Sequence, residues 1–159
     1  MYDRLIEILE SQLSLYSELL ESARQKKAFV IKNNIEGIRG ITSRENAVIG
    51  KLQKTERERE ALAAGLAKAM GVPADGLTLA ILIGNIKEYT VKERLNSLRI
   101  NLRADMDELK AINEQIKSLI NHNLEYIDFT MNLLRSSVSG PVYAGAEEIH
   151  GQVFFDARG

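Results

Sequence analysis

The sequence predicts an all-α protein, an elongated antiparallel bundle of long helices followed by a flexible C-terminal tail. Over most of the chain, apolar residues recur at alternating steps of three and four, the spacing that gives a helix one apolar face. Only 2 of the 159 residues are proline and 6% are aromatic, which favours long helices packed by aliphatic side chains over a β-sandwich. With 45% apolar residues the chain can bury a core.

The first helix is expected at about residues 2–32. The pattern breaks at Asn33 and Asn34, because asparagine favours caps and turns. The pattern leaves open whether residues 30–42 form a hairpin turn or a kink. The apolar stripe of the first helix consists of Tyr2, Leu5, Ile6, Leu9, Leu13, Tyr16, Leu19, Leu20 and Ala23.

The second helix is expected at about residues 34–70, because Gly71 is a favoured cap and Pro73 cannot continue a helix. Within it, residues 54–60 alternate in charge, which is typical of a solvated helix surface. A short helix is expected near residues 77–84, because the apolar segment at residues 77–83 lies between Gly76 and Gly84.

The last helix, at about residues 88–137, carries an apolar seam at heptad spacing that other long helices must cover. Glycines and a proline follow it, so the chain is expected to consist of a helical domain, residues 1–138, and a flexible tail, residues 139–159. The seam positions are Val91, Leu95, Leu98, Leu102, Asp105, Leu109, Ile112, Ile116, Leu119, Asn123, Tyr126, Thr130 and Leu133.

Charge and composition argue against several function classes. A net charge of −1 lacks the basic excess that nucleic-acid binding needs, and the absence of cysteine excludes disulfides and thiolate chemistry. The N-terminus lacks the pattern of a signal peptide, and the longest apolar run, Leu79–Ile83, is too short to cross a bilayer. We therefore expect a cytoplasmic protein without stable membrane insertion.

Few residues have the spacing that catalysis requires. His122 has no second histidine or carboxylate pair at metal spacing, although a phosphotransfer histidine on a helical bundle stays an alternative. Asp105, Asp107 and Glu108 stand among basic residues, which is typical of a charged surface rather than a metal site. No glycine-rich phosphate loop occurs. We expect no enzyme activity, no metal and no cofactor.

The end of the last helix has more apolar residues than one seam needs. One interpretation is that the first helix and the segment at residues 77–83 cover them inside the protein. The other is an exposed surface for an amphipathic partner helix. The candidate partner-binding residues are Leu119, Ile120, Tyr126, Ile127, Met131 and Leu134, and the same surplus includes Leu124, Phe129 and Leu133.

The order of these segments over nearly the whole chain resembles the FlgN-like flagellar export chaperones. The resemblance includes LLESARQKKAFV at residues 19–30, NIEGI at 34–38, LQKTERER at 52–59 and LKAIN at 109–113. Its most specific parts are LINHNLEYIDFTMNLL at residues 119–134 and VYAG at 142–145.

The resemblance implies a chaperone of type III secretion that binds the amphipathic C-terminal helical segments of hook-associated proteins, those of the hook–filament junction. It also implies delivery of this cargo to the flagellar export gate and the export ATPase complex. Tyr143 resembles the tail tyrosine that the family associates with docking at the gate.

A structural coiled-coil protein that oligomerises through its long helix, without a role in export, is the alternative interpretation. The sequence leaves open whether the chain forms a homodimer, and it does not identify the junction protein that would be bound.

Overall fold

The computed structural model describes residues 2–73 and 75–137, and 89% of these residues are helical. The helices are α1 (Asp3–Ile31), α2 (Ile35–Met70), α3 (Leu79–Gly84) and α4 (Tyr89–Ser137). No strand occurs in the described ranges. Each helix begins and ends within two residues of its predicted bounds, so the all-α prediction is confirmed. The predicted tail, residues 139–159, lies outside the described residues.

The connection between α1 and α2 is a tight hairpin turn, which settles what the sequence left open. Asn33 has a positive φ of 52°, and the backbone N–H of Asn34 donates to the carbonyl of Phe29 at 2.9 Å. This arrangement is a Schellman motif, and asparagine is among the few residues that tolerate the left-handed conformation at its end. The Asn34 side chain then caps α2 by accepting a hydrogen bond from the N–H of Gly37 at 2.9 Å.

The ion pairs between helices define their directions. Arg4 pairs with Glu58 at 3.0 Å and Lys26 pairs with Glu45 at 2.8 Å, so α2 runs antiparallel to α1. Between α1 and α4 the bonded residues are always 84 or 88 positions apart, so these two helices run parallel. Those bonded pairs are Glu10–Arg94, Ser17–Asp105, Arg24–Glu108 and Lys27–Gln115.

One hydrophobic cluster joins all four helices. The short helix α3 completes it, because Leu82 and Ile83 pack there, and a helix of six residues is stable only through such packing. The α2 end that leads into this region is closed by Gly71, whose φ of 68° suits glycine. The buried members of the cluster are Leu5, Leu9, Leu66, Leu82, Ile83, Ile86, Leu95, Leu98 and Leu102.

A polar cluster links α1 and α2 within the charged stretch at residues 54–60. The buried Gln12 side chain donates to Glu56 at 2.9 Å, and Arg59 donates to both oxygens of the same carboxylate at 2.6 and 2.8 Å. The Arg59 hydrogen bond lowers the pKa of Glu56 against the opposing effect of partial burial, and burial raises the pKa of the nearby Tyr16. The prediction of a purely solvated surface is therefore wrong for Glu56 and Arg59.

The seam of α4 is buried where these helices cover it. Leu95, Leu98, Leu102 and Ile116 are buried, and the seam positions between them are half-buried. Among the described residues, no helix is long and apolar enough to span a membrane.

Candidate functional site

The end of α4 belongs to a unit of its own. The contacts within the chain divide it into residues 1–119 and residues 120–159. The structure describes the second unit from Ile120 to Ser137, and all of this stretch is helical. We call residues 120–137 the C-terminal segment. It is about 26 Å long at about 1.5 Å per residue.

Large apolar side chains are accessible along the C-terminal segment. None of its described residues is buried, and six large apolar side chains have between 40% and 67% of their surface exposed. Accumulations of this kind are typical of interaction surfaces, because covering apolar surface that is exposed to water lowers the free energy. The six residues are Ile120, Tyr126, Ile127, Phe129, Leu133 and Leu134.

One side of the segment carries an aliphatic stripe. Successive residues of a helix are rotated by about 100°, so positions that alternate by four and three lie in one line along it. Five apolar residues follow this spacing and form the aliphatic stripe: Ile120, Leu124, Ile127, Met131 and Leu134. The corresponding positions before it include Lys110, Asn113 and Lys117, so the stripe begins with the C-terminal segment.

A second apolar stripe lies elsewhere around the same helix. We define the aromatic stripe as Tyr126, Phe129 and Leu133, with the exposed His122 in line with them. The centres of the two stripes are about 150° apart around the helix axis. Asn123 and Thr130 separate the stripes on one side. A wide polar face separates them on the other, formed by Asn121, Glu125, Asp128, Asn132 and Arg135.

Three side-chain hydroxyl groups of the segment donate hydrogen bonds to backbone carbonyls of the preceding turn. Thr130 donates from its side chain to the carbonyl of Tyr126 at 2.9 Å, and Ser136 and Ser137 donate to carbonyls one turn before them at 2.8 and 2.9 Å. Arg135 lies in the last turn, where a positive charge is favourable to the helix dipole. These hydrogen bonds lie within the helix and involve none of its apolar side chains.

The predicted partner-binding residues divide between the two stripes. Ile120, Ile127, Met131 and Leu134 lie on the aliphatic stripe, and Tyr126 lies on the aromatic stripe. Leu119 is half-buried and is the last residue of the first unit. The sequence analysis counted Leu124 as surplus without selecting it, although its four-residue spacing from Ile120 identifies it as a member of the stripe. The same holds for Phe129 and Leu133 on the aromatic stripe.

Two observations bear on the interpretations of the surplus apolar residues. The segment at residues 77–83 contributes Leu82 and Ile83 to the cluster that contains Leu5 and Leu95. Six large apolar side chains of the C-terminal segment are 40% or more exposed. This exposure favours the interpretation as a surface for a partner helix.

The other groups considered for chemistry are accounted for by pairing or position. Glu108 pairs with Arg24 at 2.6 Å, Asp107 pairs with Arg103 at 3.6 Å, and Asp105 accepts a hydrogen bond from Ser17. Within residues 2–73 and 75–137, no group of three or more acidic or histidine side chains could hold a metal ion. The predicted docking residue Tyr143 lies outside the described residues.

Comparison with known proteins gives one family. A family model described as FlgN protein matches residues 1–147 of the chain. The match includes the whole described C-terminal segment. No significant match was found among curated proteins or among solved structures.

Proposed function

The chain belongs to the FlgN family of flagellar export chaperones, and we propose that its cargo is the amphipathic C-terminal helical segments of hook-associated proteins. The observation that carries this proposal is the aliphatic stripe, in which Ile120, Ile127 and Leu134 are exposed and Leu124 and Met131 are half-buried. An amphipathic helix binds such a stripe through residues at positions i, i+3, i+4 and i+7. The chaperone function requires no catalytic residue, so we propose that the protein is not an enzyme.

Binding at the stripe protects the cargo from premature assembly. Amphipathic helical segments that are unfolded before export bury their apolar faces against one another when left free. Covering such a face with the C-terminal segment replaces that association by a reversible one. Since a cargo helix orders only on binding, part of the contact free energy is used for ordering, and the complex can still release its cargo.

Delivery of the cargo is proposed to depend on the tail that follows the helical domain. We propose that residues 1–138 form the cargo-binding domain and that residues 139–159 form the tail. Through Tyr143 the tail docks at the flagellar export gate and the export ATPase complex. We propose that the protein acts in the cytoplasm, with cargo binding and docking on separate parts of the chain. Removal of residues 139–159 is then expected to leave cargo binding intact and to prevent delivery.

The direct test is a titration of the full chain with the purified C-terminal regions of the hook-associated proteins of the source organism. We expect the triple substitution Ile127→Ala, Met131→Ala and Leu134→Ala to weaken binding more than tenfold, since three anchors are lost. The control is the polar-face double substitution Asn121→Ala and Asn132→Ala, which leaves Glu125 and Asp128 in place and is expected to bind normally. Unchanged binding by the folded aliphatic triple contradicts the proposal.

The heptad seam from Val91 to Leu133, whose members Tyr126 and Leu133 are exposed, also favours a second candidate. This candidate is a coiled-coil protein that associates with itself through the seam and has no role in export. Light scattering over a range of concentrations separates the two. A mass that stays at one chain supports the chaperone proposal, and a mass that rises with concentration while no hook-associated protein binds supports the alternative.

A further inference from the structure

The two apolar stripes of the C-terminal segment are too far apart for one partner helix. A helix packs against a neighbour through an apolar stripe about 100° wide. The aliphatic and aromatic stripes together extend over about 220° of the helix surface. One helix laid on Ile127 therefore leaves Phe129 and its neighbours in water.

Resting on the proposed function, we propose that the C-terminal segment binds two helices of one cargo chain, with one helix on each stripe. In this complex the end of α4 lies between the two cargo helices. Each cargo helix presents an apolar stripe to the segment, with basic residues along the edge that faces Glu125 and Asp128 on the polar face.

The size of each stripe supports two helices in a single chain. A specific protein interface uses about 20–30 residues on each side, whereas each stripe offers only a few anchors. Each of two separate cargo chains would lose translational and rotational freedom on binding, and such a small contact would offset little of that loss. When both helices belong to one chain, the second binds at the high effective concentration that the first creates.

Charge disfavours an antiparallel pairing with a second copy of this chain through the aliphatic stripe. An antiparallel pairing of two copies centred on Ile127 would bring Asp128 opposite Asp128 of the other copy. Like charges at the edge of a helix pair are unfavourable, and they select against that partner. A cargo helix with lysine or arginine at this place gains from the same carboxylate.

The test uses site-specific cross-linking, which this chain suits because it contains no cysteine. Three successive residues point in three directions about 100° apart: Met131 on the aliphatic stripe, Asn132 on the polar face and Leu133 on the aromatic stripe. Single substitutions Met131→Cys, Asn132→Cys and Leu133→Cys each receive a photo-activated cross-linker. They are then mixed with the C-terminal region of a hook-associated protein, and the attached cargo peptides are identified by mass.

We expect positions 131 and 133 to attach to two different helical stretches of the same cargo molecule in a one-to-one complex, and position 132 to attach to neither. Attachment of both positions to the same stretch overturns the proposal. So does attachment of one position to a second copy of this chain, or of neither to cargo in a complex that forms. If the unsubstituted chain forms no complex at all, the proposed function itself has failed.

Discussion

Two stretches of the same seam in α4 differ in what covers them. Leu95, Leu98 and Leu102 are buried in the cluster that joins all four helices, whereas Tyr126 and Leu133 are more than half exposed. All five residues follow one heptad spacing, and both stretches are helical. The spacing therefore determines that a helix forms and which side of it is apolar. Whether that side is buried depends on whether another helix packs against it. The exposed stretch is the one that a partner from outside the chain can use.

The largest effect is expected in the buried stretch. Leu95 has no exposed surface, so Leu95→Ala should lower the free energy of unfolding by about 2–5 kcal/mol, through lost burial and the cavity left behind. Leu133→Ala, in the exposed stretch, should change it by less than about 0.5 kcal/mol. Urea unfolding followed by circular dichroism measures both. Equal losses would remove the difference between the two stretches.

The next effect concerns cargo binding, for which a substitution in the exposed stretch should matter more than one in the buried stretch. Ile127→Asp puts a charge in the middle of the aliphatic stripe and should weaken cargo binding about tenfold to a hundredfold, because a buried unpaired carboxylate is costly. Its unfolding midpoint should hardly move, since Ile127 is 40% exposed in the free chain. Asn132→Asp adds the same charge on the polar face and serves as the control. Calorimetric titration measures the affinity of both variants for cargo. Similar losses of affinity would show that the added charge weakens binding wherever it is placed on the helix.

A smaller effect is expected at the turn that sets α1 against α2. A Cβ at Gly37 would lie 2.6–2.8 Å from ring atoms of Phe29, whereas a Cβ at Gly50 meets open space. Gly50→Ala should stabilise the chain by up to about 1 kcal/mol through helix propensity. Gly37→Ala should lose that gain and destabilise by about 1 kcal/mol or more, since the ring must move. Thermal unfolding of both variants tests this, and equal stabilisation would mean that Phe29 moves freely.

The smallest effect is a pH dependence of the stability of the first unit, residues 1–119. Because the Arg59 and Gln12 hydrogen bonds lower the pKa of Glu56 in the folded chain, its carboxylate stabilises the fold above the unfolded pKa of about 4.3. This contribution is lost as the pH falls through the lower folded pKa. Glu56→Gln should therefore reduce stability at neutral pH by about 1 kcal/mol or less. The free energy of unfolding of this variant should also depend less on pH in the acid range. An unchanged acid profile of unfolding would contradict a stabilising role of the polar cluster.

The helices could be predicted from the sequence to within two residues, because periodicity, Asn33–Asn34 and Gly71-Val72-Pro73 are local signals. Whether Asn33 starts a hairpin was not predictable, since asparagine fits both a turn and a kinked helix. The partly buried Glu56 was missed for a different reason. Its partner Gln12 is 44 positions away, and the alternating charges around it look like a solvated surface.

The candidate site was predicted in part. The surplus of apolar residues after Leu119 was visible in the sequence, and so were most members of the aliphatic stripe. Where α3 packs was not predictable from the sequence, and only the tertiary structure places Leu82 and Ile83 in one cluster with Leu5 and Leu95. The separation into two stripes follows from the helix register once the extent of α4 is known.

The most direct test of the difference between the two regions is amide hydrogen exchange of the full chain with and without the C-terminal region of a hook-associated protein. A helix without buried side chains opens readily, so residues 120–137 of the free chain should exchange faster than the helices around Leu95. Added cargo should slow exchange in residues 120–137 and leave the buried cluster unchanged. Equal protection of both regions in the free chain, or no slowing in residues 120–137 when the complex forms, would contradict this account.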